Sequence, residues 1–164
     1  MFRVLKINKR REQGKKYQYN YLKNSHMGTA KRFEELEVWQ QARRIYSDIF
    51  RLTNRTGFST DYSLVNQMRR SSGSIMDNIA EGFERGGNKE FLFFLSMAKG
   101  SAGELKSQLY RGLDQGKIKQ EEFDDIANKI DHTSNLIGKF ISYLKSSGVK
   151  RTRYKVEESD DNGY

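Results

Sequence analysis

The sequence predicts an all-α chain folded as an antiparallel up-down four-helix bundle, and three observations predict it. Apolar residues recur at three- and four-residue spacing through four long segments, the signature of amphipathic helices. Short connections rich in glycine and polar residues join the segments, which makes successive helices antiparallel neighbours. No proline occurs anywhere in the 164 residues, so nothing forces a break inside a helix. No β-hairpin signal competes.

Each helix follows from its own pattern. Helix one is expected over about 33–53, with Leu36, Trp39, Ala42, Ile45, Tyr46, Ile49 and Phe50 on one broad inward face. The run NRTGFST ends it, and Ser59 or Thr60 is placed to cap the next helix. Helix two, about 61–83, turns Leu64, Val65, Met68, Ser72, Ile75, Ile79 and Phe83 inward and Arg70, Ser74, Asp77 and Glu81 outward. ERGGN is the second break, with Asn88 as the expected cap. Helix three, about 89–114, buries Phe91, Leu95, Ala98, Ala102, Leu105 and Leu109. After DQGK, helix four runs over about 120–147. It buries Phe123, Ile126, Ala127, Ile130, Ile137, Phe140, Ile141 and Leu144 at a spacing near 3.5 residues, the period of bundle packing.

Charge divides the chain into three parts. Residues 1–32 hold ten Lys/Arg against a single acid, Glu12, which accounts for the whole net charge of +9; the remainder carries 20 residues of each sign. The expected organisation is therefore a basic arm over 1–32, a bundle over 33–148, and a tail over 149–164 that is basic and then acidic. A basic arm attracts phosphate through counterion release. Lys15, Lys16, Tyr17 and Tyr19 suit a segment that stacks bases on tyrosines and follows a backbone with lysines. The same arm also reads as a disordered tail, or as upstream sequence with the start at Met27. Lys150, Arg151 and Arg153 repeat the basic theme at the other end. Cysteine is absent, and neither a signal peptide nor a membrane span is legible, so a cytoplasmic protein is expected.

Small residues in mid-helix raise the functional question. Gly73, Gly100, Gly103 and Gly112 each cost a helix about 0.5–1 kcal/mol relative to alanine; close backbone approach is the expected reason. Phe93, Gly100, Ser107 and Arg111 lie opposite the core of helix three, beside Met97 and Glu104, and suit a contact between subunits. Arg69 and Arg70 admit phosphate binding, pairing with Asp77 or Glu81 across a subunit boundary, or plain solvation. Arg44, Arg51 and Arg55 lie outward on helix one, offset by Glu37 and Asp48.

Catalytic and metal chemistry is not legible. His26 and His132 are the only histidines, no phosphate loop or nucleophile elbow occurs, and paired Glu-x-x-His motifs of bundle metal sites are missing. A non-enzyme with no cofactor and no metal is expected.

Three blocks in order, LEVWQQARRIYSDIF, QMRRSSGSIMDNIAEGFER and FLFFLSMAKGSAGELKSQL, resemble the four-helix-bundle proteins encoded in bacterial 23S ribosomal RNA intervening sequences. Related bundles include the accessory variability proteins of diversity-generating retroelements. The resemblance implies a ring-forming homo-oligomer, a pentamer in relatives. For the retroelement branch it also implies partnership with a reverse transcriptase and nucleic-acid binding through a basic surface; the intervening-sequence branch brings no settled activity. By motif position it carries over Trp39, Gln40, Arg69, Arg70, Asn78, Glu81 and Gly82 as bundle and assembly determinants, to which the residue pattern adds Gly73, Phe93 and Gly100. This chain departs from the family by lacking a proline before NIAEG. The leading expectation is an accessory or scaffold bundle that binds RNA or DNA. The alternative is a structural protein-interaction module without nucleic-acid binding of its own.

Overall fold

The computed structural model describes residues 30–58 and 61–146, and within them the chain is helical with no strand. The helices are α1 (Glu37–Thr53), α2 (Tyr62–Glu84), α3 (Asn88–Asp114) and α4 (Gln120–Ser146), with 3₁₀ turns at Phe33–Glu35 and Thr56–Phe58. They form a four-helix bundle: α1 packs on α2, α2 on α3, α3 on α4, and α4 closes against α1. All four expected helices are present, and α2 runs uninterrupted through NIAEG.

The core is the column of apolar residues that the periodicity selects. Leu64, Met68, Ile75 and Ile79 of α2 and Leu95, Ala98, Ala102, Leu105 and Leu109 of α3 have no exposed surface. Burying such a side chain contributes about 1.5–3 kcal/mol for the larger ones. Phe91 ties three helices together, meeting Phe83 edge-on at 6.0 Å and Phe140 at 5.3 Å.

Helix one corrects the expectation on its flank. Val38, Ala42, Ile45, Ile49 and Leu52 form its buried column, while Tyr46 and Phe50 remain 37% and 44% exposed. Each of these two lies one residue, about 100°, beyond a core position. Trp39 and Val65 are likewise only partly buried. Thr133 fills the gap that the helix-four pattern leaves between Ile130 and Ile137. Its hydroxyl donates to the Lys129 carbonyl at 2.8 Å, so a polar residue is buried without an unmet donor.

The caps also differ from expectation. Asp61 caps α2, its carboxylate accepting the Leu64 N–H at 3.0 Å; Ser59 and Thr60 lie outside the described residues. Gly87, not Asn88, precedes α3, and no side chain caps that end. The α3 terminus is a full Schellman motif. Gly116 sits at φ +67°, its N–H reaches the Leu113 carbonyl, and the Lys117 N–H reaches that of Gly112, both at 2.9 Å. The turn folds buried Ile118 back over Gly112. At this end of the bundle Phe58 is also buried, and Lys117 pairs with Asp61 at 2.6 Å. The α1–α2 and α3–α4 connections are thereby tied to each other.

Glycines divide into two kinds. A Cβ on Gly82 would lie 2.5 Å from the Cβ of Phe94, whereas one on Gly103 meets nothing within 4 Å. Gly82→Ala is expected to lower unfolding free energy by about 1–3 kcal/mol despite alanine's better helix propensity. Gly103→Ala is expected to raise it by about 0.5–1 kcal/mol. Urea denaturation of the two variants checks both signs.

Candidate functional site

The blocks that stood out in the sequence converge on the contact between α2 and α3. Ser71, Ser72 and Ser101 are buried, and their small side chains let the two helices approach. Polar groups then bond across the seam. The Ser74 and Ser101 hydroxyls meet at 3.0 Å. The Gln108 side-chain amide donates to Ser71 at 2.9 Å, and Arg111 donates to the Gln67 side chain at 2.6 Å. Asn78 closes the series by donating to the Ser74 carbonyl at 2.7 Å and to its hydroxyl at 3.0 Å. Ser71, Ser74 and Ser101 therefore act inside one subunit, each giving close packing and a cross-helix hydrogen bond worth about 0.5–1.5 kcal/mol, whereas the Ser72 hydroxyl donates to the Arg69 carbonyl of its own helix.

The run NIAEGFER builds the α2–α3 corner. Gly82 is buried beneath Phe91 and Phe94. Glu81 pairs with Arg85 one turn later, and the Arg85 guanidinium lies over the Phe94 ring at 4.9 Å. Gly86 then takes φ +78°, where a side chain is strained, and reverses the chain. Asn78, Glu81 and Gly82 are thus each occupied within their own chain.

The arginines singled out in the sequence fall into two groups. Arg51 pairs with Asp48 and Arg55 with Glu122. Arg69 is pinned to the end of α1: its Nε donates to Thr53 Oγ1 at 2.9 Å, a terminal nitrogen donates to Asn54 Oδ1 at 2.8 Å, and the guanidinium sits 4.9 Å above the Phe50 ring. Within the chain Arg70 forms no ion pair with Asp77 or Glu81. Among the described residues Arg43, Arg44 and Arg70 have no ion-pair partner, and the Arg43 guanidinium lies over the Trp39 ring at 5.9 Å. Trp39 also meets Phe33 edge-on at 5.1 Å, and Gln40 donates to the Glu34 carbonyl at 2.9 Å. Lys15, Lys16, Tyr17, Tyr19, Lys150, Arg151 and Arg153 lie outside the described residues.

Charge pairing links α1 to α4. Burial pushes the Asp48 carboxyl up, but hydrogen bonds from Lys129 at 2.9 Å and from Arg51 outweigh it, and the group titrates below its ordinary range. The hydrogen bond from Arg55 holds Glu122 low in the same way. Sequence reasoning missed Lys129, since nothing in helix four alone places it opposite Asp48.

Gly73, Gly100 and Phe93 remain as assembly candidates. Gly73 is in ordinary contact with the Tyr46 ring, 3.8 Å from where its Cβ would stand. A Cβ on Gly100 or Gly103 would meet nothing within 4 Å among the described residues, so neither glycine serves a close approach within the described bundle. Phe93 is 60% exposed and Met97 50%. With Gly100 they follow at i, i+4 and i+7, one outward stripe on α3. Among the described residues no group of three or more His, Asp or Glu is placed to hold a metal, and no helix is long and apolar enough to cross a membrane.

Two outcomes follow from this geometry. Arg69→Ala is expected to cost about 1–2 kcal/mol of stability and Arg70→Ala less than about 0.5 kcal/mol, measured by chemical denaturation. Because the Asp48 and Glu122 carboxyls are depressed in the folded state, their contribution is present above the unfolded value of about 4. It is lost as pH falls through the lowered folded value. Melting temperature should therefore drop below about pH 4, and Asp48→Asn should flatten that drop while lowering the melting temperature at pH 7.

Comparison with known proteins bears on the fold. No match is found among curated proteins. A crystal structure of a protein with unknown function from the S23 ribosomal protein family of Bacteroides thetaiotaomicron VPI-5482 superposes with a TM-score of 0.58 at 23% identity. The match covers 66% of this chain and 99% of that one, so the two share a fold. The model of the 23S rRNA-intervening sequence protein family matches residues 34–139, the span of the bundle and well over half of the sequence; the chain belongs to that family.

Proposed function

We propose that this chain is a non-catalytic accessory or scaffold bundle that works as a homo-oligomer and engages nucleic acid. The observation that carries the reading is the outward stripe of α3, where Phe93 and Met97 lie exposed beside Gly100. Apolar residues aligned in this way, next to a position with room for a neighbouring backbone, suit a contact between copies. The arrangement is taken as up-down and antiparallel. Cross-helix pairs on α2 and α3 run in opposite directions, from Gln67–Arg111 to Ser74–Ser101, and the connections are short. A closed ring, with five copies as the resemblance implies, follows if the stripe meets a different face of the next subunit.

Nucleic-acid binding falls to the basic arm with Lys15 and Lys16, the tail with Lys150, Arg151 and Arg153, and the arginines that lack carboxylate partners, Arg44 and Arg70. Arg51, Arg55 and Arg69 are already engaged within the bundle, and this favours the second reading, a protein-interaction module whose bundle takes no part in binding RNA or DNA. A reverse transcriptase is the proposed partner for the first reading.

Light scattering and a salt titration of RNA binding test the proposal together. Phe93→Glu is expected to reduce particle mass to that of a single copy. Affinity for RNA is expected to fall steeply between low and moderate salt, as counterion release requires. A wild-type particle of one copy overturns the assembly reading, and no RNA binding at low salt overturns the nucleic-acid reading.

A further inference from the structure

Trp39, Tyr46 and Phe50 are aromatic residues, and Arg43 an arginine, on one strip of α1; their positions fall within about 60° of each other around the helix. Tyr46 and Phe50 lie one turn apart with rings inclined by 25° and centroids 6.4 Å apart, and both are substantially exposed. Arg43 covers Trp39 and Arg69 covers Phe50. The facing position on α2 is Gly73, which leaves the Tyr46 ring uncovered by any larger side chain there. Arg70 follows Arg69 on the same helix but turns away from the strip, lining the groove between α2 and α3 with Ser74 and Glu104.

The geometry points to this strip as a stacking surface for the bases of single-stranded nucleic acid. The inference rests on the nucleic-acid reading above and names the ligand class and the residues that receive it. Each base has a π-face that stacks on an aromatic ring or an arginine plane, and phosphates between bases meet flanking cations. Here rings and guanidiniums follow one another along about three turns of helix, and among the described residues the guanidiniums of Arg43 and Arg69 have no carboxylate ion-pair partner. That charge complements a polyanion. Duplex nucleic acid offers its bases only at their edges, so a surface made of ring and guanidinium planes selects unpaired bases. Asp77, which lies near Gly73, is a carboxylate beside the strip and opposes phosphate there.

Trp39 is the only tryptophan in the chain, so its emission reports directly on the strip. The test uses the full-length chain with oligouridine, oligothymidine and a duplex of the same length, followed by fluorescence anisotropy and by quenching of Trp39. Single-stranded oligomers are expected to quench Trp39 and the duplex is not. The double variant Tyr46→Leu, Phe50→Leu keeps apolar bulk but removes both ring faces. It should weaken single-strand binding roughly tenfold or more, with duplex binding and particle mass unchanged. Asp77→Asn should bind the single strand more tightly. The proposal is overturned if the leucine variant binds oligouridine as wild type does, or if it changes particle mass, which would make the strip a subunit contact. Wild-type binding that persists in that case leaves the broader nucleic-acid reading standing. Absence of binding to any of the three probes removes both.

Discussion

Two helices lie close along most of their length only if the residues between them are small, and α2 and α3 meet that condition with Ser71, Ser74, Ser101 and Gly82. Small side chains bury little apolar area, so the hydrophobic gain per residue is low at this contact. The seam compensates with hydrogen bonds across it and with dense packing where Phe91 and Phe94 press onto Gly82. The placement of α4 follows, because Phe91 is fixed from below by Gly82 and Phe83 and then presents its ring to Phe140. Widening the α2–α3 gap by a single methyl group would displace the residue that holds the third helix.

Residues whose role depends on their own helix were legible in the sequence. Val65 apart, the apolar residues read as inward on α2 and α3 are buried, since apolar spacing reports a buried face wherever neighbours lie on both sides; the buried small residues Ser71, Gly82, Ser101 and Gly112 carry no such signal. What failed depended on a second helix. Tyr46 and Phe50 were read as core because aromatic residues adjoined true core positions. Their exposure is decided by how far α2 covers that flank, and α1 alone does not encode this. Phe58 and Ile118 were missed because they sit in connections, where no periodicity marks an apolar residue as buried. The N-cap of α2 was misplaced by a residue or two, within the ordinary ambiguity of helix ends.

The small residues show the same division. Glycine in a helix signals that something needs room or a special backbone, but the sequence does not say which glycine faces what. Gly82 has Phe94 against it and Gly116 closes a helix end, while Gly100 and Gly103 look outward. The conspicuous polar residues of NIAEGFER likewise turn out to secure a corner. Asn78 and Glu81 spend their hydrogen-bonding capacity on Ser74 and Arg85. The features left over for external partners are therefore the less conspicuous ones, the outer stripe of α3 and the arginine-lined flank of α1.

The coupling of the two connections at one end of the bundle reaches beyond packing. Lys117 belongs to the α3–α4 connection and Asp61 to the start of α2, so their ion pair joins segments 56 residues apart in sequence. Buried Ile118 and Phe58 both lie against Gly112 at this end. Sequence drift in either connection is consequently not independent. A change of length in one pulls the anchor from the other and releases the first turn of a helix that lies elsewhere in the chain, so these two short segments should vary together in any lineage that keeps the bundle.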